Sequence, residues 1–331
     1  LKLTNGGILM DLTQVEPQKI SKDLSSYTSF LFGPPKAGKT TFYHQLFGKK
    51  AIFARTEKGS KAVAGLMGQD ISNWSDFMKF KKQLSRKEVK EIFDVVVIDT
   101  FDNLCIYLEK YVKNKYGADN LKDANGGWGA GHKEFSETLF MALNDIESYG
   151  YTIHFISHSK KEKEKLPGTE EEYEKYVPSA VKRGMEIATK MVDNILFAYL
   201  AVNPETKQEQ RVLYTRETLY FQAGTRFTHL QAALPMSAEA YRNAVTAAIL
   251  AEGEENLKEE KEVNIVIGEE LNFEALMQEA KEIAVEMNKA GRLAEVNEIV
   301  EKYLGQGKLM RDATETQVET VKIIVEELRL L

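Results

Sequence analysis

The chain has 331 residues, 43% of them hydrophobic, a formal net charge of −6 and one cysteine, Cys105. That size accommodates about two domains at roughly 150 residues each, and the apolar share excludes intrinsic disorder. The lone cysteine excludes an internal disulfide framework and fits a reducing cytoplasm, the apolar runs fall far short of the ~20 residues of a membrane-spanning helix, and the opening residues carry no basic-then-apolar leader.

In chain order, residues 1–26 are irregular, with one edge strand at Ile8–Leu12. Tyr27–Phe32 reads as a strand running into a Gly-rich loop, followed by a helix over Lys39–Phe47 and a second strand at Ala51–Ala54. Trp74–Leu84 is helical, and Val95–Ile98 is an uninterrupted β-branched run, as expected at the centre of a parallel sheet. A helix at Thr138–Ser148 and a strand at Thr152–Ile156 follow. Two further strands, Asn194–Val202 and Gln210–Thr215, flank a turn at Asn203-Pro204-Glu205. Ala238–Leu250 is a closing helix with Ser237 as its N-cap. Strands alternating with helices predict an α/β domain over residues 1–250, with a mostly parallel sheet between helices.

Residues 251–267 read as an acidic linker, and 268–331 as a small three-helix module. Its apolar stripes are Phe273, Leu276, Met277, Ala280, Ile283, Ala284 and Met287; then Leu293, Val296, Ile299, Val300, Tyr303 and Leu304; then Val318, Val321, Ile324, Val325 and Leu328. Thr314-Glu315-Thr316-Gln317 is a capping-box pattern that would start the last helix. From Glu252 to the end there are 20 Asp+Glu against 10 Lys+Arg, whereas residues 1–251 hold 30 acids and 34 bases. A mildly basic body thus carries an acidic tail.

The sharpest motif is Gly33-Pro34-Pro35-Lys36-Ala37-Gly38-Lys39-Thr40, a phosphate-binding loop of the form G-x-x-x-x-G-K-[ST], with Thr41 next. Gly33 and Gly38 free the backbone so that successive N–H groups point inward around a phosphate, and the following helix adds its positive end. Lys39 would reach the β- and γ-phosphates, and the Thr40 hydroxyl would ligate Mg²⁺. Asp99, delivered at the end of Val95–Ile98, would hold the same ion through water. The expected cofactors are therefore ATP and Mg²⁺. Glu57, just past the second strand, is the candidate for orienting water, with Asp102 as its rival. Ser157 and His158, ending the strand that starts at Thr152, would lie near the γ-phosphate, while His154 packs in the sheet. No Cys/His cluster has zinc spacing.

These motifs, in this order, resemble the RecA-like recombinase core, and within it the phage-encoded AAA/RecA-like ATPases that include the single-strand annealing type of recombination protein. Gly33–Thr41, Ile71-Ser72-Asn73-Trp74 and Ile156-Ser157-His158-Ser159-Lys160 carry the resemblance, over residues ~8–235. It implies that Glu57 activates water, and that His158 stands where recombinases often place a Gln sensing the γ-phosphate. It further implies a homo-oligomer in which an arginine from a neighbour completes the site, Arg226 first and Arg216 second. Single-stranded DNA is the implied partner, carried on loops after the Asp99 and His158 strands. The first, Tyr111–His132, holds Lys113, Lys115 and the Gly-rich run around Trp128, with Lys133 just beyond. The second, Ser159–Arg183, holds Lys160 and Lys161 among interspersed glutamates. Glycines give pliancy, Trp128 a stacking face, and lysines phosphate contacts.

The expected function is ATP hydrolysis coupled to recombination or strand annealing, in the cytoplasm of a bacterial host, with no membrane attachment. Alternatives are a helicase, helicase loader or packaging motor, or a nucleotide-switched scaffold with little turnover. The helical module has three open readings: a site for a single-stranded-DNA-binding protein, an aid to oligomerisation, or a cap on the fold.

Overall fold

The computed structural model describes residues 19–57, 59, 62–166, 168–202, 207–253, 272–329 and 331. The expected edge strand Ile8–Leu12, the turn Asn203-Pro204-Glu205 and most of the acidic linker lie outside the described residues. The chain divides into two compact units, residues 1–266 and 267–331.

The first unit begins with β1 (Ser29–Gly33), α1 (Lys39–Phe47), β2 (Ala51–Arg55), β3 (Gly68–Asp70), α2 (Trp74–Leu84) and α3 (Lys87–Lys90). Next come β4 (Val95–Asp99), α4 (Phe101–Tyr116), α5 (Ala130–Ser148), β5 (Thr152–Lys165), β6 (Glu172–Pro178) and α6 (Lys182–Met191). It closes with β7 (Asn194–Val202), β8 (Glu209–Tyr214), β9 (Gly224–Thr225), β10 (Ala233–Pro235) and α7 (Ala238–Leu250). The sheet order is β10-β8-β7-β1-β5-β4-β2-β3. From β7 through β3 every pairing is parallel, and β8 and β10 add an antiparallel edge. The fold is α/β, a mostly parallel sheet with helices on both faces and the phosphate loop following β1.

Alternation along the central strands explains how one sheet supports two cores. Successive side chains point to opposite faces. Leu31, Val95 and Val97 join α1 and α7 in a core with Phe42, Tyr43, Leu46 and Val245. Phe30, Phe32, Val96 and Ile98 face the other way, into a core with Phe77, Leu104, Phe135 and Leu139. Both faces are covered, so β1 and β4 are buried along their whole length and read as continuous apolar runs.

Both expected DNA-bearing loops are in fact largely regular structure. α4 runs to Tyr116 and α5 starts at Ala130, eight residues before the expected Thr138. Phe101, Leu104, Cys105, Leu108 and Val112 form the buried stripe of α4. Between the helices, a short 3-10 turn at Leu121–Asp123 docks against the first turn of α5. The segment Ser159–Arg183 is mostly an antiparallel hairpin, registered from Ser159↔Pro178 to Lys165↔Glu172. It lacks an apolar alternation. Cross-strand ion pairs Lys161–Glu174 and Lys163–Glu172 take that place, and opposite charges across a ladder favour pairing.

The second unit holds α8 (Phe273–Lys289), α9 (Leu293–Leu304) and α10 (Val318–Leu328). Ala280, Met287, Val296, Val300, Val321, Ile324, Val325 and Leu328 form its own core. The capping box at Thr314–Gln317 closes a short 3-10 turn that precedes α10, one step earlier than expected. Among the described residues no helix is long and apolar enough to cross a membrane.

Candidate nucleotide-binding site

Strand register assembles the site at the carboxyl edge of the sheet, where ligands of open α/β sheets bind. Gly33 pairs with His158, Asp99 with Ile156, and Arg55 with Asp99. Gly33, His158, Asp99 and Glu57 are far apart in sequence, yet these pairings bring them to one rim.

The phosphate loop is shaped by its glycines. A Cβ at Gly33 would lie 2.3 Å from the carbonyl oxygen of Ala198, so only glycine lets β7 abut the loop. Gly38 sits at φ 95° and is the N-cap of α1, with no side chain capping the helix. The first-turn N–H groups are thereby left for an anion. Lys39 is 6% exposed, and its ammonium donates to the carbonyls of Gly33 at 2.9 Å and Pro34 at 2.8 Å. Burial lowers its pKa, while Asp99, Asp102 and Glu57 pull it back up.

Thr40 Oγ1 donates to Asp99 Oδ2 at 2.7 Å. Burial pushes the Asp99 carboxyl above its ordinary pKa, opposed by that hydrogen bond and by Lys39. A hydroxyl and a carboxylate oxygen side by side at the mouth of a phosphate loop suit a hard divalent cation. Among the described residues no cluster of three or more His, Cys, Asp or Glu forms a metal site. Two protein ligands alone hold Mg²⁺ poorly, so the ion would arrive with the phosphates that complete its shell. The residues present fit Mg-ATP.

Glu57 Oε1 accepts from Thr100 Oγ1 at 3.3 Å and Asn103 Nδ2 at 3.3 Å, and lies 2.9 Å from His158 Nε2. Its side chain remains 35% exposed, facing the rim. Both carboxylate oxygens of Asp102 are engaged within the protein. One oxygen takes the Ser157 hydroxyl, and the other takes the His158 backbone N–H at 2.8 Å. Asp102 thus ties α4 to β5, and Ser157 is fully buried in that tie rather than facing a phosphate. His154 packs in the sheet at the far end of β5, against Ser29 and Tyr43.

Sequence reasoning missed Thr56, Thr100 and Asn103. Thr56 Oγ1 bridges the Thr100 N–H at 2.7 Å and the Thr100 carbonyl at 2.9 Å, and the Thr56 N–H donates to the Asp99 carbonyl at 2.7 Å. This clamp fixes Glu57 relative to Asp99. The polar residues after each strand, Thr56 and Thr100, were the available signal.

Arg226 does not approach the site of its own chain. It follows β9, which pairs with the start of β7, at the opposite end of the strands from the phosphate loop, and it pairs with Asp193 at 3.1 Å. Arg216 donates to the carbonyls of Phe227 and Thr228. The expected DNA lysines are likewise engaged. Lys113 pairs with Glu109, Lys115 with Glu134, Lys133 with Glu137, Lys160 with Glu162, and Lys161 with Glu174. Trp128 differs, being fully exposed on the turn between α4 and α5. That turn holds five consecutive residues at positive φ, Asn125 to Gly129.

A profile of the AAA domain family AAA_24 matches residues 25–227, more than half of the chain. The chain belongs to that family. The AAA domain so matched covers the phosphate loop, Glu57, Asp99 and His158, and ends before α7. A curated relative, the SPbeta prophage-derived uncharacterized protein YorG of Bacillus subtilis (strain 168), is 29% identical over 331 residues, covering 97% of this chain and 98% of that protein. Among solved structures, a KaiC-like protein from the hyperthermophilic archaeon Pyrococcus horikoshii OT3 matches with a TM-score of 0.35 and 14% identity, over 64% of this chain and 85% of that one.

Proposed function

We propose that this AAA-domain protein is a phage-borne, Mg²⁺-dependent ATPase. The observation that carries the reading is the 2.7 Å contact between Thr40 and Asp99 beside the phosphate loop, with Glu57 on the same rim. When bound, Mg²⁺ neutralises charge on the transferred phosphoryl group. Lys39 and the N-terminus of α1 bind the phosphates, Thr40 and Asp99 hold the cation, and Glu57 orients the attacking water. Thr100, Asn103 and His158 keep the Glu57 carboxylate facing the rim. The prophage-derived relative supports phage descent. In Glu57→Gln, Mg-ATP affinity stays near wild type while turnover falls by about 10²-fold, the scale of a lost general base. Turnover equal to wild type sinks the role given to Glu57. Wild-type turnover at background with tight ATP binding instead favours a nucleotide-switched scaffold.

Trp128 supports a finer reading, in which the nucleotide cycle acts on single-stranded DNA in recombination or annealing. An indole standing clear of the surface on a glycine-rich turn is a stacking platform for a base. Stacking is worth about 1–3 kcal/mol per base, so Trp128→Ala should weaken single-stranded DNA binding about tenfold or more and abolish any DNA stimulation of turnover. Stimulation that survives the substitution removes Trp128 from the interface. The self-paired lysines imply a shallow salt dependence for that binding. Oligomerisation through an arginine of a neighbouring subunit, and a protein partner on the helical module, belong to the same proposal.

A further inference from the structure

The antiparallel edge of the sheet contributes a cation that no phosphate-loop motif contains. β8 runs against β7 with Ala198 opposite Leu213 and Leu200 opposite Arg211. Ala198 is the residue whose carbonyl abuts Gly33. Arg211 therefore stands two residues beyond that level, roughly 7 Å further toward the carboxyl rim at the usual strand rise. Alternation puts Arg211 on the same face as Leu213, and Leu213 packs with Phe42, Tyr43 and Leu46 of α1. The face is thus the one on which α1 begins. The Arg211 backbone is pinned from both sides, by β7 and by the Met236 N–H donating to its carbonyl at 3.0 Å.

The side chain ends at the loop. Arg211 Nη1 lies 3.6 Å from where a Cβ on Gly38 would stand. Among the described residues its guanidinium has no carboxylate partner. Three positive features converge there: the Arg211 guanidinium, the Lys39 ammonium and the uncapped N-terminus of α1. Asp99, at the mouth of the loop, accepts from the Thr40 hydroxyl. Like charges so placed repel one another, and a multiply charged anion between them relieves the repulsion. A guanidinium's rigid fork also matches phosphate oxygens bidentately.

We propose that Arg211 completes the phosphate site in cis, clamping the polyphosphate of the bound nucleotide from the β8 side. This rests on the nucleotide reading of the site. It also places the arginine contact within one chain, independently of any neighbouring subunit.

The test is calorimetric titration of the full chain and its Arg211→Gln and Arg211→Lys variants with Mg-ATP, Mg-ADP and inorganic tripolyphosphate, over a range of KCl. Arg211→Gln should raise the Kd of all three ligands about tenfold or more, flatten the salt dependence, and leave the ligand-free melting temperature in place. Arg211→Lys keeps the charge without the fork and should recover part of the loss. Wild-type affinities in both variants overturn the clamp. If Arg211→Gln melts early, Arg211→Lys decides alone, and wild-type affinity in it overturns the bidentate contact. Failure of the wild-type chain to bind Mg-ATP overturns the nucleotide site itself and the clamp with it, a result distinct from variants that bind as well as wild type.

Discussion

Lys39 and His154 are both buried basic groups, and their surroundings send them in different directions. Lys39 lies among Asp99, Asp102 and Glu57, which offset part of its desolvation. His154 has no such counter-charge, and burial alone pushes its pKa down to about 3. It is therefore neutral in the fold. The unfolded chain protonates this imidazole below its ordinary pKa of about 6.5, while the folded protein does not until about pH 3. The contribution is fully present above the unfolded value and is lost as pH falls toward the folded one, at up to about 1.4 kcal/mol per pH unit. His154→Gln should melt with a shallower pH dependence than wild type between about pH 6 and about pH 4. Equal slopes for the two proteins would remove His154 from the acid sensitivity.

Elements were legible in the sequence where one periodicity dominated. α1, α2, β7 and α7 run over the very residues that the apolar pattern and caps predict, since burial on a covered sheet or helix face leaves a direct imprint on residue choice. The β5–β6 hairpin left no such imprint, because its ladder is held by alternating Lys and Glu on exposed strands. The early start of α5 was hidden by the glycines around Trp128. One of those glycines is structural. A Cβ at Gly131 would come within 2.1 Å of the Leu121 carbonyl and 2.8 Å of the Ala124 side chain, and Ala124 is fully buried. Gly131→Ala should cost about 1–3 kcal/mol, the range for overpacking, read as a lowered urea midpoint with an unchanged slope. A midpoint equal to wild type would mean that the turn carrying Trp128 docks more loosely than its contacts indicate.

Each of the two units has its own hydrophobic core. The AAA-domain body buries two, one on each face of the sheet, and the helical module buries a third made only of its own residues. The phosphate loop, Glu57, Asp99, His158 and Arg211 all belong to the body. A chain ending at Glu262 should therefore bind Mg-ATP with full-length affinity and keep the melting temperature of the body. Loss of nucleotide binding on that truncation would make the module integral to the site.

The sequence by itself determined the class of the fold and the chemistry of the phosphate loop. Both depend on local rules: glycine's freedom, the charge of Lys39, and strand-length apolar runs ending in an acid. Tertiary structure engages both Asp102 oxygens with Ser157 and His158, a contact that only the approach of β5 to α4 makes. It also set Lys113, Lys115, Lys133, Lys160 and Lys161 beside carboxylates of their own surface, and brought Arg211 to Gly38. A charged side chain's role is set by what lies within a few ångströms of it, and the chain order does not contain that distance.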